Sequence, residues 1–397
     1  TNERENMKKI FLSAILSLSV LASSAYAEIK MGIILGFTGP IESLTPAMAA
    51  SAELAFKEAS DSGSLLGGET IKPLRADSTC VDSAAATTAA EGLVSQGIVA
   101  IMGADCSGVT GAVASNVAVP NGITIISPSA TSPGLTTLKD KGLFFRTAPS
   151  DARGGQILAD ITKDRGVKSV AVTYTNNDYG KGLADVYSAA VKAHGIKVTT
   201  VTAHEDGKAD YSAEVSTLAS AGGDAVAVIG YLDQGGKGII QGSLDSGAFD
   251  TFILSDGMIG DSLTDTFGKS LNKSFGSLPG SLGKGAGVFA KVAKGAGIDP
   301  SGPYTGESYD AAALIVLAIQ AGGSADRGSI AKNVMSVANA PGTKIYPGQL
   351  KKGLNLLAKG KAIDYEGATA VKFTAVSYTH LRAHETRGNL VCRLLLE

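Results

Sequence analysis

Short apolar runs alternate with amphipathic stretches along most of the chain. Ile29–Leu35, Ile71–Ala76, Ile98–Met102 and Ile123–Ile126 are short and nearly all apolar. That is the pattern of strands covered on both faces in a parallel sheet. Between and after them, residues 46–59, 83–95 and 108–119 carry helical spacing, with Pro46 in a first turn where its missing N–H does no harm. Leu143–Arg146 reads as a connector, and the alternation then resumes. Helices are predicted over 154–165, 180–194, 211–221 and 235–246, and strands over 169–174, 197–201, 225–229 and 251–254. Residues 271–287 are rich in Gly and Ser, contain Pro279, and read as a second connector.

Helical patterns at 286–296, 307–321 and 330–338 are expected to return to the first unit, and 363–373 to cross a third time. The fold class expected is α/β: two doubly wound parallel-sheet lobes joined by a three-segment hinge. Residues 28–147 and 280–363 are assigned to the N-terminal lobe, and 148–279 and 364–374 to an incomplete C-terminal lobe. The cleft between such lobes is a natural ligand site.

The two ends change this picture. The first Met is residue 7; Lys8 and Lys9 precede an apolar run, Ile10–Ala22, and then the small-x-small site Ala25-Tyr26-Ala27. This is the layout of a secretory signal peptide, with cleavage expected after Ala27, a periplasmic location, and residues 1–6 as upstream read-through. From about Val376 the composition departs from everything before it and resembles a translated sequencing adapter. Residues 375–397 are therefore set aside as an artefactual tail, along with His380, His384 and Cys392.

Residues 28–374 hold 29 basic and 33 acidic residues, a net charge of −4. No basic stripe is present, so nucleic-acid binding is not expected. The N-terminal apolar run is too short to span a bilayer comfortably, and no other run reaches transmembrane length. Cys80 and Cys106 remain; an even pair in an exported chain favours a disulfide, with two buried thiols as the alternative.

Ligands of open α/β sheets bind beyond the carboxyl ends of the strands. The residues that follow each strand here are GADCSG (103–108), SPSAT (127–131), NNDYG (176–180), Gly230-Tyr231 and Ser255-Asp256-Gly257. Ser107 and Thr131 supply neutral donors suited to a carboxylate, Ser107 where a helix begins. Asp256 is an acid placed to hold a cationic group, with Tyr179 and Tyr231 beside it. This set suits a zwitterion. Neither G-x-G-x-x-G after the first strand nor a G-x-S-x-G elbow occurs, and His194 and His204 fall near predicted surface turns, so no enzyme activity and no cofactor are expected.

Several segments, in order, resemble the periplasmic branched-chain amino-acid-binding proteins of ABC transporters, with the type I periplasmic binding fold. They are GFTGP (36–40), CSG (106–108), ISPSATSPGLT (126–136), FRTAPSD (145–151), DYGKGLA (178–184), IGYLDQ (229–234) and DPSGPYTGESYDAA (299–312). The resemblance implies a bridged Cys80–Cys106 pair. It implies carboxylate contacts from Ser107 and Thr131, an ammonium contact from the Ser129 carbonyl with Ala130 in the same turn, and aromatic contacts from Tyr179, Tyr231 and Tyr304. The family often has Glu where Asp256 stands and an aromatic where Leu44 stands, so both changes reshape the side-chain pocket. The partners implied are a small amino-acid-like ligand and the permease and ATPase of an importer, with the binding protein itself a monomer. The alternative is a sensing domain of the same fold that reports to a receptor or regulator.

Overall fold

The computed structural model describes residues 28–374 and 378–381. The signal-peptide reading and most of the tail fall outside them. The first sheet consists of β1 (Glu28–Leu35), β2 (Thr70–Asp77), β3 (Ala100–Gly103), β4 (Thr124–Ser127) and β5 (Phe144–Arg146), in the order β2-β1-β3-β4-β5. The second consists of β6 (Ser169–Thr175), β7 (Lys197–His204), β8 (Ala225–Ile229), β9 (Phe252–Leu254) and β10 (Phe275–Gly276), in the order β10-β9-β8-β6-β7. Every pairing in both sheets is parallel. The two sheets thus share one winding, which reverses between β1 and β3 in the first and between β6 and β8 in the second. Such reversals leave a crevice at the carboxyl ends of the strands.

Helices cover the sheets. Those of the first are α1 (Thr45–Asp61), α2 (Ser83–Ser95) and α3 (Ser107–Val113); those of the second are α4 (Asp151–Asp164), α5 (Asp178–Ala193), α6 (Ser212–Ala221), α7 (Gly235–Ser246) and α8 (Asp261–Phe267). The chain then returns through α9 (Lys284–Gly295), α10 (Thr305–Gly322), α11 (Arg327–Ala338) and α12 (Leu350–Ala358). Helix α10 is apolar almost all round and packs between α1 and α11, burying Leu314, Ile315, Val316, Leu317 and Ile319, as a helix enclosed by its neighbours must.

The central strands β3, β4 and β8 are buried along their whole length, as their continuous apolar runs require. Where the structure departs from the periodicity, local causes are visible. The Leu143–Arg146 connector is the edge strand β5, too short at three residues to show a period. Helix α12 was not anticipated; Gly353 interrupts its pattern because a Cβ there would stand 3.0 Å from Leu317 Cδ2 of α10. The helix expected over 108–119 widens after Val113 into a π turn at Ala114–Ala118.

The third crossing is not one strand but two. Strand β12 (Ile363–Tyr365) pairs with β11 (Thr343–Ile345), whereas β13 (Val371–Thr374) pairs with β14 (Tyr378–Leu381). Between them the buried Asp310 carboxylate accepts from the Tyr365 hydroxyl (2.8 Å), the Ala368 and Thr369 amides (2.9 and 2.8 Å) and the Thr369 hydroxyl (2.7 Å). These bonds hold the chain in a turn. Strand β13 lies against the first lobe, not the second as expected. The Phe373 ring is 5.2 Å from that of Phe145, and the Phe373 amide donates to Asn339 at 3.0 Å.

Candidate functional site

The site lies where the carboxyl ends of the two sheets face each other. On the first lobe, Gly103 ends β3 with φ +127°; a Cβ there would fall 2.1 Å from the Ile34 carbonyl oxygen, so only glycine fits. The chain then turns through Asp105, whose buried carboxylate accepts from the Gly36 amide (2.6 Å), the Ser78 hydroxyl (3.0 Å) and the Cys106 amide (2.9 Å). One side chain therefore ties together the loops after β1, β2 and β3. Burial holds its pKa above the ordinary carboxylate value.

The Cys80–Cys106 disulfide forms, joining the β2 loop to the residue that precedes α3. Replacing both cysteines by alanine is expected to cost about 3–4 kcal/mol of stability on the chain-entropy model, checked by urea unfolding. A cost near zero would show that the Asp105 hydrogen bonds fix these loops without it.

Ser107, the first residue of α3, is buried, and its hydroxyl accepts the Ser132 amide at 3.0 Å. The 127–132 turn is held from below by Arg146 of β5. Its buried guanidinium donates to the Ala130 carbonyl (3.0 Å), the Ser132 carbonyl (2.8 Å) and the Thr136 hydroxyl (2.7 Å). The Ser129 hydroxyl donates to the Asp105 carbonyl at 3.1 Å. Ala130 is fully buried. The Thr131 hydroxyl is buried without a hydrogen-bond partner.

On the second lobe, Asp256 follows β9 and is 7% exposed. Its Oδ1 accepts from the Tyr179 hydroxyl at 2.7 Å and its Oδ2 from the Tyr304 hydroxyl. The Tyr179 oxygen also lies 2.9 Å from the Ser255 hydroxyl, which is the donor of that contact, and accepts the Gly257 amide at 3.2 Å. Tyr231 stacks on Tyr179, with centroids 5.1 Å apart and planes 18° apart. Tyr304 reaches Asp256 from just before α10 with φ +59°. A left-handed backbone is costly for a bulky residue and points to a functional constraint. Leu44 is buried at the cleft edge, within reach of Leu232 and Gly260 of the opposite lobe.

Asp151, the first residue of α4, was not singled out as a site residue in the sequence, although FRTAPSD contains it. Its amide donates to the Thr131 carbonyl at 2.9 Å, and its buried Oδ2 has no hydrogen-bond partner. The Thr131 hydroxyl lies beside this carboxyl and lowers its pKa, yet does not meet hydrogen-bond geometry with it. Burial, and then the charge of Asp256, raise the Asp151 pKa well above the usual range, while Arg146 pulls it down. Burial also raises Asp256, against the lowering effect of the Tyr304 and Tyr179 hydroxyls. The Tyr179 and Tyr304 hydroxyls are held well above their ordinary pKa by burial and by the Asp256 charge, so they stay protonated donors. Nearby, burial pushes Glu307 up to about 8.

Ser107, Thr131, Tyr179, Tyr231, Asp256 and Tyr304 thus gather at one buried junction, and Asp151 joins them. A groove of about 1000 Å³ elsewhere on the surface, bounded by Lys30, Gln96 and Gln320, opens at the amino ends of β1 and β3. That is the wrong end of a parallel sheet for ligand binding. Among the described residues, no cluster of His, Cys, Asp and Glu could hold a metal ion.

Comparison with known proteins bears on the family and the fold. Residues 28–348 match the periplasmic binding protein family model. The Leu/Ile/Val-binding protein homolog 1 of Brucella melitensis is 32% identical over 337 residues, 82% of this chain and 88% of that protein. Homolog 3 of the same organism is 33% identical over 234 residues, 58% of this chain; the match spans less than two thirds of that relative, 62% of its length. Among solved structures, the branched-chain amino acid transporter substrate binding protein LivJ of Streptococcus pneumoniae, in complex with isoleucine, is 22% identical. It superposes with a TM-score of 0.72, covering 89% of this chain and 94% of that one, which shows a shared fold. The chain belongs to the type I periplasmic binding proteins, as a relative of the Leu/Ile/Val-binding proteins of ABC transporters.

Proposed function

We propose that this protein is the substrate-binding component of an ABC importer and that it takes a small α-amino acid in its interlobe cleft. The family places its members outside the cytoplasm; we extend this to export with cleavage after Ala27, and to delivery of the ligand to a permease and its ATPase. The observation that carries the reading is a pair of buried carboxylates, Asp151 and Asp256, set beside an unpaired Thr131 hydroxyl where the lobes meet. Two buried acids side by side are unfavourable when both are ionised, and Arg146 offsets only Asp151 in part; an ammonium between them supplies a compensating charge. In this reading the ligand ammonium lies between Asp151 and Asp256, and its carboxylate takes donors from Ser107, Thr131 and the 129–131 turn. The side chain packs against Tyr231, Tyr304 and Leu44. Tyr179 and Tyr304 orient Asp256 through their hydroxyls. Only a closed cleft makes both sets of contacts, so binding shifts the lobes toward closure.

A thermal-shift series with L-leucine, L-isoleucine, L-valine and L-alanine is expected to raise the melting temperature with at least one of them. Affinity should carry a pH signature. The carboxylates have raised pKa values in the empty protein, and an ammonium binds only their ionised forms. Affinity is therefore expected to rise with pH as the pair deprotonates, and binding below neutral pH should release protons. Calorimetry in two buffers of different ionisation enthalpy reads this directly. No shift with any amino acid, or proton uptake on binding, would overturn the assignment.

A further inference from the structure

The two lobes also meet beside the proposed site, at a polar contact in which none of the proposed polar ligand groups takes part. The loop after β1 is held rigidly on the first lobe. The Thr38 hydroxyl and amide donate to Asp77 (2.6 and 3.3 Å), the Gly36 amide donates to Asp105 (2.6 Å), and the Thr45 hydroxyl donates to the Gly36 carbonyl (3.1 Å). Gly39 lies at φ +104°, where a Cβ would be 2.5 Å from the Thr79 carbonyl oxygen. The loop therefore presents the Pro40 carbonyl and the Ser43 amide in a fixed geometry.

Opposite them stands Asp233, two residues beyond Tyr231. Its amide donates to the Pro40 carbonyl and its Oδ2 accepts the Ser43 amide, both at 2.9 Å. Its Oδ1 is held within its own lobe by the Ser262 hydroxyl (2.9 Å), which in turn accepts from Lys237 Nζ (2.7 Å). Leu232 and Leu44 close the apolar side of the same contact. Two reciprocal bonds, each end fixed in advance by its own lobe, join the jaws directly.

We propose that Asp233 is a clasp that sets how long the closed protein retains its ligand, without choosing which ligand enters. The proposal rests on the reading that the ligand is held by closure of the cleft. A contact made only in the closed state increases its population and slows opening, and it multiplies the affinity of every ligand by the same factor.

The test is stopped-flow binding of L-leucine and L-alanine to the wild type, Asp233→Ala and Asp233→Asn. Losing a charged acceptor for a backbone amide is expected to raise the dissociation rate of both ligands by about tenfold in Asp233→Ala. Association should stay within about twofold, because the clasp forms after encounter. Asp233→Asn, which keeps an acceptor oxygen, should fall between, and it serves as the readout should the alanine variant not fold. Unchanged dissociation, slowed association, or unequal factors for the two ligands would overturn the clasp. If the wild type binds neither amino acid, the ligand reading fails instead. The clasp is then judged by single-molecule energy transfer between labels on opposite lobes of the ligand-free protein. Closed dwells should shorten about tenfold in Asp233→Ala; equal dwells, or no closed dwells in the wild type, would rule it out.

Discussion

Asp256→Ala is expected to weaken amino-acid binding by roughly 100-fold or more while the protein still folds. Removing one partner of a buried charge pair costs about 3–5 kcal/mol, and each 1.4 kcal/mol is tenfold in affinity. The size of the effect comes from the surroundings of the group. Asp256 is almost wholly withdrawn from solvent, and its two oxygens are oriented by Tyr179 and Tyr304. An ammonium brought to the same place has no water to fall back on. The variant also leaves two tyrosine hydroxyls without their acceptor, so some loss of stability should accompany the loss of affinity. Calorimetry with the amino acid that gives the largest thermal shift is the measurement. Wild-type affinity in a folded variant would remove Asp256 from the site.

Asp151→Asn separates binding from stability because the two should move in opposite directions. Affinity is expected to fall by about tenfold or more, since a charge-assisted contact to the ammonium becomes a neutral one. The ligand-free protein, in contrast, should melt higher at neutral pH. The sign follows from linkage. The folded-state pKa of Asp151 is raised, so the native protein holds a proton that the unfolded chain has released. Stability is therefore lost as pH rises from the unfolded value through the folded one, and asparagine, which does not ionise, avoids that loss. Below the unfolded pKa the two proteins should melt alike. A variant that binds normally, or one less stable at neutral pH, would show that Asp151 serves only to start α4.

Much of the fold could be read from the chain because its strands are buried on both faces. Runs such as Ile98–Met102 and Ala225–Ile229 have no polar face to obscure them, and the glycines and caps between them mark turns. Elements escaped where the pattern was short or broken by a packing need: three-residue β5, α12 with Gly353 at a helix crossing, and the turn that Asp310 imposes between β12 and β13. The candidate site was legible residue by residue wherever a side chain follows a strand end, as for Ser107, Thr131 and Asp256. Asp151 was not, since an acid at a helix start reads as ordinary capping chemistry. Its significance arises only from proximity to Asp256, a residue more than a hundred positions away. Arg146 and Asp105 were hidden for a related reason. Both act on loops rather than on ligand, and neither has a local signature.

The backbone at Tyr304 bears on how this protein has been shaped. A chain selected for robustness alone would place glycine at φ +59°, where no side chain is strained. Tyrosine occupies it, and its hydroxyl meets Asp256. Under the proposed reading, backbone strain is tolerated here for a side chain that orients Asp256, and drift toward glycine would relieve the strain while leaving that carboxylate without one of its two tyrosine donors.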